Sequence, residues 1–147
     1  MADAWEPFEV RLRFPSRMEW LDLVDRVAAG IATQLELGEE EADAIANSVV
    51  EAGTNAIQHG HHYDTRVPID MIFEVQGDRL CIRVHDLGPG FDVAKVLDFD
   101  PTAADSILAL RGRGIFIMKS LMDEVRFEIN PGKGCTAVLT KYHRVAG

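Results

Sequence analysis

The sequence predicts an α/β (α+β) fold. We expect a two-layer sandwich in which helices pack on one face of a mixed, mostly antiparallel sheet. Segments with apolar residues at every second position occur in pairs joined by short turns, which is typical of β-hairpins. Beside those pairs lie segments whose apolar residues recur every three or four positions, which is typical of amphipathic helices. The 147 residues contain no linker or internal repeat, so we expect a single domain over residues 1–147.

The first part of the chain predicts one strand followed by two helices. Residues 7–14 alternate apolar and polar side chains and end at a proline, which indicates a strand. Ser16 and Glu19 have the spacing of a capping box, and the apolar pattern that follows them predicts a first helix. A second helix is predicted over about 39–59, and it stops at Gly60.

The rest of the chain predicts two hairpins with a helix between them. Residues 67–84 alternate on both sides of a short turn, which indicates the first hairpin. Residues 92–111 are the least regular part, and we expect a mobile loop with one or two short helical turns there. A helix is predicted to begin at Gly112 and Gly114, and residues 124–142 form the second hairpin.

Composition excludes several classes of function. The formal net charge of -9 argues against binding to nucleic acid or to an anionic membrane surface. No apolar stretch approaches the roughly 18 residues of a membrane span, and the first residues lack the basic and apolar regions of a signal peptide. Cys81 and Cys135 have neither metal-binding nor disulfide spacing, so we expect two free thiols and a cytoplasmic protein.

The helix predicted over 39–59 carries a polar stripe opposite its apolar face. Ser48, Glu51, Asn55 and His59 share this stripe because they follow one another at helical spacing. Glu51 and Asn55 are one helical turn apart, so their side chains are neighbours. Such groups can bind a metal, a water or a phosphate, but the stripe taken alone is most simply a solvated helix face.

A Gly-x-Gly pattern occurs three times after this helix. The glycines of 88–90 follow a predicted strand, where the backbone can approach a flat or charged ligand. Those of 112–114 lie at a predicted helix start, where free N–H groups together with Arg111 and Arg113 favour an anion. Those of 132–134 lie in a hairpin turn that needs positive φ angles. The phosphate-loop and dinucleotide-binding motifs are absent.

In their order, these motifs resemble the N, G1, G2 and G3 boxes of the GHKL (Bergerat-fold) ATPases. They are Glu-x-x-x-Asn-x-x-x-His, Asp-x-Gly-x-Gly-Phe, Gly-x-Gly before a helix, and Gly-x-Thr in the last strand. The resemblance covers about residues 40–141. Within that superfamily, EAGTNAIQHG, HDLGPGFD and RGRGIFIMKSLMDEV are similar to the small stand-alone anti-sigma factor serine/threonine kinases of bacteria.

The resemblance implies a role for each matching residue. Asn55 would ligate Mg²⁺, and Glu51 would be the catalytic general base that takes a proton from the attacking hydroxyl. Asp86 would accept a hydrogen bond from the exocyclic amine of adenine, because an ionised carboxylate is only an acceptor. The other implied cofactor-binding residues are Gly88, Gly90 and Thr136 around adenine, and Gly112, Arg113 and Gly114 beside the phosphates.

Three histidines near the end of the second helix have no settled role. His59 is as easily interpreted as a C-terminal helix cap as a neighbour of phosphate or metal. His61 and His62 continue the cluster, but they lie in a predicted loop, and this disfavours a zinc site.

The resemblance implies a Mg-ATP-dependent serine/threonine protein kinase that phosphorylates a STAS-type anti-anti-sigma antagonist and sequesters a sigma factor. It also implies a homodimer. Two alternatives remain open. One is a nucleotide-gated binding module without phosphotransfer, which would have no need of a base at Glu51. The other is a detached ATPase domain of a histidine kinase, against which the short 92–111 segment counts, because those domains usually have a longer lid.

Overall fold

The computed structural model describes residues 5–92 and 107–142, with the backbone alone for residues 107–111. Within these residues the chain forms five strands and three α-helices, with a 3-10 turn before the first helix and a π-helical turn after the second. In chain order they are β1 (Trp5–Pro15), the 3-10 turn (Met18–Trp20), α1 (Leu21–Gln34), α2 (Glu39–Asn55), the π turn (Ala56–Gly60), β2 (Pro68–Gly77), β3 (Arg79–Asp86), α3 (Ile107–Leu121), β4 (Glu124–Asn130) and β5 (Gly134–Tyr142).

The described strands form one sheet in the order β1-β2-β3-β5-β4. Both predicted hairpins are present, and β5 pairs with β3 to join them. The predicted architecture is confirmed, although every pairing in the described part of the chain is antiparallel, so this sheet is not mixed. The two strands of each hairpin are antiparallel by construction. In addition, β2 runs antiparallel to β1, and β5 runs antiparallel to β3.

Alternate side chains of the central strands point into the core between the sheet and the helices. On β3 these are the even-numbered positions and on β5 the odd-numbered ones, because Leu80, Ile82 and Val84 share the core with Ala137 and Leu139. Their neighbours in sequence point to the opposite face. This alternation decides which residues at the ends of β3 and β5 belong to the helix side.

Two helix starts differ from the predictions. Ser16 does not cap a helix, because its hydroxyl is buried and bonds to His61 and Val67, and a 3-10 turn precedes α1. The capping-box interpretation is therefore wrong. The third helix contains Gly112 and Gly114 instead of starting at them, because it already runs from Ile107 through residues with good helix propensity. Of the predicted loop over 92–111, residues 93–106 lie outside the described residues.

The second predicted helix is confirmed in its extent and changes form at its end. The α-helical part closes at Asn55, and the last turn is a π turn that ends at Gly60. Turns of this kind often occur at functional sites. Here the π turn follows the polar stripe of α2, and its last residue, Gly60, lies against Asp86 at the end of β3.

Candidate functional site

The predicted site residues converge on the helix side of the sheet, where β3 ends and β5 begins. Asp86, the last residue of β3, is 5% exposed and is paired across the sheet with Cys135. It has the even-numbered position that points toward the helices, as do Val84 and Ile82. A buried carboxylate is thus held at the edge of the core.

Two glycines pack directly on the Asp86 carboxylate. A Cβ added at Gly60 would lie 2.7 Å from Asp86 Oδ1, and a Cβ at Gly88 would lie 2.5 Å from the Gly60 carbonyl oxygen. The Gly88 N–H donates a hydrogen bond of 2.8 Å to Asp86 Oδ1. The two backbone segments can approach the carboxylate only because neither residue has a side chain. Asp86 is therefore oriented by its own loop.

The loop after Asp86 is held against the sheet by two further residues. Gly90 has a φ angle of +77°, and a Cβ there would lie 2.7 Å from Ile129 Cγ2. The Phe91 ring meets Phe127 edge to face, with 5.0 Å between ring centroids. Such an arrangement adds to the burial of both rings. The glycines of 88–90 thus allow two separate close approaches, one to Gly60 and one to β4.

Glu51 and Asn55 line the contact between α2 and α3. A Cβ at Gly114 would lie 3.0 Å from Glu51 Oε2 and 3.5 Å from both Oδ1 and Nδ2 of Asn55. Asn55 is 8% exposed, and its Nδ2 has no hydrogen-bond partner within the described structure. Burial raises the pKa of Glu51 above its ordinary value. The stripe is therefore not a solvated helix face at these two positions.

The second Gly-x-Gly pattern lies inside a helix and not at its start. Gly112 and Gly114 are buried inside α3, beyond its first four residues, and Arg113 between them is half-buried. Only the first four N–H groups of a helix lack partners within the helix. The predicted position of these glycines at a helix start is therefore wrong, and the lack of a side chain at Gly114 instead lets α3 lie close to Glu51 and Asn55.

Thr136 lies on the opposite face of the sheet from Asp86. Its hydroxyl is 2.8 Å from Nδ1 of His85, its partner across the sheet, and both side chains point away from the helices. The expectation that Thr136 contacts adenine beside Asp86 is corrected by this register, because adjacent strand residues face opposite ways. Cys135, buried and paired with Asp86, occupies that position.

Residues that support this site are not apparent from the sequence. Gly60 ends the second helix, as predicted, and also packs on the Asp86 carboxylate. His61 lies in a loop, as predicted, but its burial is not predicted: it is 7% exposed and its ring accepts a hydrogen bond from the Leu87 N–H. His59 is half-buried in the π turn. Among the residues described, no group of three or more His, Cys, Asp or Glu side chains could hold a metal ion.

Comparison with known proteins assigns the chain to a protein family. The family described as histidine kinase-like ATPase domain matches residues 14–141. This range contains the elements that build the site described above, and the chain belongs to that family. In the described part of the chain, no helix is long and apolar enough to cross a membrane.

Particular relatives are serine-protein kinases. The chain is 31% identical over 137 residues to serine-protein kinase RsbW of Bacillus velezensis, covering 90% of this chain and 84% of the relative. The crystal structure of the RsbU and RsbW domains of Rv1364c from Mycobacterium tuberculosis has a TM-score of 0.65 at 17% identity, over 92% of this chain and 32% of that longer one. The SiaB-SiaC complex from Pseudomonas aeruginosa gives 0.61 at 12% identity, over 90% and 88%. These two structures support the fold.

Proposed function

We propose that the protein is a cytoplasmic, Mg-ATP-dependent serine/threonine protein kinase that phosphorylates a STAS-type anti-anti-sigma protein and sequesters a sigma factor. The observation that carries the kinase is Glu51, a carboxylate with a raised pKa beside the buried Asn55, whose amide nitrogen has no hydrogen-bond partner in the part of the chain that is described. The partners rest on the resemblance to anti-sigma factor kinases and on the relatives named serine-protein kinase RsbW.

The residues present fit Mg-ATP. Asn55 offers a side-chain oxygen, the ligand type that Mg²⁺ prefers, and its amide N–H groups, which have no hydrogen-bond partner among the described residues, can donate to a phosphate or water oxygen. Because Gly114 has no side chain, the Glu51 carboxylate and the Asn55 amide stay uncrowded by α3, whereas a Cβ there would lie 3.0 Å from Glu51 Oε2. Asn55 would hold the metal, which when bound neutralises charge on the phosphates. Asp86 would accept the hydrogen bond from the amine of adenine, with Gly88 and Gly90 beneath the base.

Glu51 is suited to take the proton of the attacking hydroxyl. A general base works best when its pKa lies close to the working pH, and burial shifts the pKa of Glu51 in that direction. Its position against α3 shields it partly from water, so its carboxylate is less strongly solvated than a surface glutamate. A module that only binds nucleotide has no use for this group, and this favours the kinase over a binding module.

A transfer assay tests the proposal. The protein is incubated with γ-labelled Mg-ATP and, in turn, each STAS-domain protein of the same cell. We expect acid-stable label on a serine or threonine of one of them, and a complex with a sigma factor that this label regulates. Binding of nucleotide without transfer to any STAS protein would leave the binding module, and label on a histidine would indicate a histidine-kinase ATPase domain.

Replacing Gly114 by alanine should have opposite effects on the intrinsic stability of the helix and on nucleotide affinity. Alanine favours a helix over glycine by about 1 kcal/mol, but a methyl group here enters the space beside Glu51 and Asn55. We expect Mg-ATP affinity to fall about tenfold, the size of one lost contact. Gly30→Ala is the matched control, because Gly30 is exposed in α1 with no atom within 4 Å of its Cβ position. It should raise stability and leave affinity unchanged. Equal affinities in the two variants would exclude a ligand at Gly114.

Paired valine substitutions test which face of β5 meets the base. Thr136→Val removes the hydroxyl that contacts His85, and we expect nucleotide affinity to stay within about twofold. Cys135→Val adds bulk beside Asp86, and we expect about a tenfold loss. Isothermal titration with Mg-ATP measures both. The reverse order of effects would restore Thr136 as the residue behind adenine.

A further inference from the structure

A directed chain of hydrogen bonds joins four segments of the protein at His61. The Leu87 N–H donates to His61 Nε2 at 2.8 Å, and His61 Nδ1 lies 2.8 Å from Ser16 Oγ. The Ser16 hydroxyl in turn donates to the Val67 carbonyl oxygen. Ser16 is 1% exposed and His61 is 7% exposed, so water does not compete for these groups.

The chemistry of this chain fixes the state of the imidazole. A backbone N–H only donates, so Nε2 of His61 must carry a lone pair. The ring proton is then on Nδ1 and is donated to Ser16 Oγ, whose own proton goes to Val67. Every donor has one acceptor, and the neutral Nδ1–H tautomer is the form that satisfies all of them. In a protonated ring Nε2 carries a hydrogen and cannot accept, so two donors, the Nε2–H and the Leu87 N–H, would face each other.

The residue that His61 holds lies between Asp86 and Gly88. The Leu87 N–H is bound by His61, and the next N–H, that of Gly88, is bound by Asp86 Oδ1. Two consecutive N–H groups of the turn are thus fixed, and the second of them, that of Gly88, orients the Asp86 carboxylate. Release of Leu87 would free the turn that aims Asp86. The exposed Leu87 side chain provides no other anchor.

We propose that His61 is a positioning residue for the loop 86–88 that receives the base, and that protonation of its ring weakens nucleotide binding. The inference rests on the proposed function, because it takes Asp86 as the group that binds the nucleotide. It assigns to a histidine outside the polar stripe of α2 a role in setting the affinity of the site.

The groups around His61 give the direction of its titration. Burial lowers the pKa of His61 below its ordinary value, and His85 acts in the same direction. Asp86, the Val67 carbonyl and Asp64 oppose this, since each favours the charged ring. Protonation is thus resisted near neutral pH and forced as the pH falls through the lowered pKa. The hydrogen bond from the Leu87 N–H to His61 is therefore intact above that pKa and broken below it, so nucleotide affinity falls as the pH drops through the pKa.

The test compares His61→Gln with the wild type from about pH 8 to about pH 5.5, using a fluorescent ADP analogue with Mg²⁺. The Gln Oε1 can accept from the Leu87 N–H and does not titrate in this range. We expect the wild type to lose severalfold more affinity than His61→Gln across it, with most of that loss at the acid end, because the ring titrates below its ordinary pKa. The ratio of the two removes the titration of the nucleotide itself. His62→Gln, at the exposed neighbouring position, should follow the wild type.

Nitrogen NMR of the wild-type imidazole provides a readout that does not depend on a variant folding. At neutral pH we expect the Nδ1–H tautomer for His61, and Ser16→Ala should disturb it and weaken binding. An Nε2–H tautomer, or equal acid loss in the wild type and in His61→Gln, would overturn the inference. Absence of nucleotide binding at every pH would overturn the proposed function as well, whereas binding with equal profiles would overturn this inference alone.

Discussion

Glu51→Gln is expected to lower the rate of phosphotransfer by about 10²- to 10⁴-fold, the usual contribution of a general base. The amide keeps the shape of the side chain beside Gly114 but cannot accept a proton. Because the contacts to Mg²⁺ and to adenine are assigned to Asn55 and Asp86, the affinity for Mg-ATP should change little. Single-turnover transfer to the STAS partner at saturating ATP gives the rate, and titration calorimetry gives the affinity.

The pKa of Glu51 adds two further expectations. Transfer by the wild type should rise with pH through this raised pKa and then level off, because only the ionised carboxylate accepts the proton. Since the folded-state pKa is the higher one, burial of the charge destabilises the protein at neutral pH, and that cost disappears as the pH falls below the unfolded-state pKa. At pH 7 the variant should therefore be at least as stable as the wild type.

Glu40→Gln is the matched control for this substitution. Glu40 lies on the same helix, exposed in its first turn and far along the chain from the polar stripe. It should leave transfer unchanged. A Glu51→Gln protein with wild-type transfer would exclude Glu51 as the base, whereas one that binds no Mg-ATP would show that Glu51 acts in binding.

The part of the site that follows from local periodicity could be predicted from the sequence. Glu51 and Asn55 lie one turn apart on a helix whose apolar face is regular, so their adjacency follows from helical geometry alone. Asp86 could likewise be located at a strand end, because the alternation of the hairpin before it is uninterrupted. In each case the pattern that locates the residue within its helix or strand is local in sequence.

The errors concern contacts between distant segments. Whether Thr136 or Cys135 faces Asp86 depends on the register of β5 against β3, and a shift of one residue reverses the face. Ser16 has the sequence of a helix cap, but its hydroxyl bonds to a residue 45 positions away. A local pattern cannot reveal a competing partner at such a distance. The start of α3 lies earlier than the glycines predict, because helix-forming residues precede them.

The glycines of 132–134 show how one contact can change the interpretation of a turn. Both have positive φ angles, +77° at Gly132 and +101° at Gly134, as a hairpin turn predicts. They differ in their surroundings, because a Cβ at Gly134 would lie 2.0 Å from the Asp86 carbonyl oxygen, whereas one at Gly132 would meet no atom within 4 Å. Gly134 is therefore needed both for the turn and for the close approach of β5 to the site.

Gly134→Ala is accordingly expected to destabilise the protein by roughly 3 kcal/mol or more, since backbone strain and a clash with Asp86 add together. Gly132→Ala carries the strain alone and should cost about 1 kcal/mol. Urea unfolding measures both free energies. Because the Asp86 backbone must move to admit the methyl group, the folded Gly134→Ala protein should also bind nucleotide more weakly, while Gly132→Ala binds normally. Equal losses of stability in the two variants would mean that the φ angle alone accounts for both glycines.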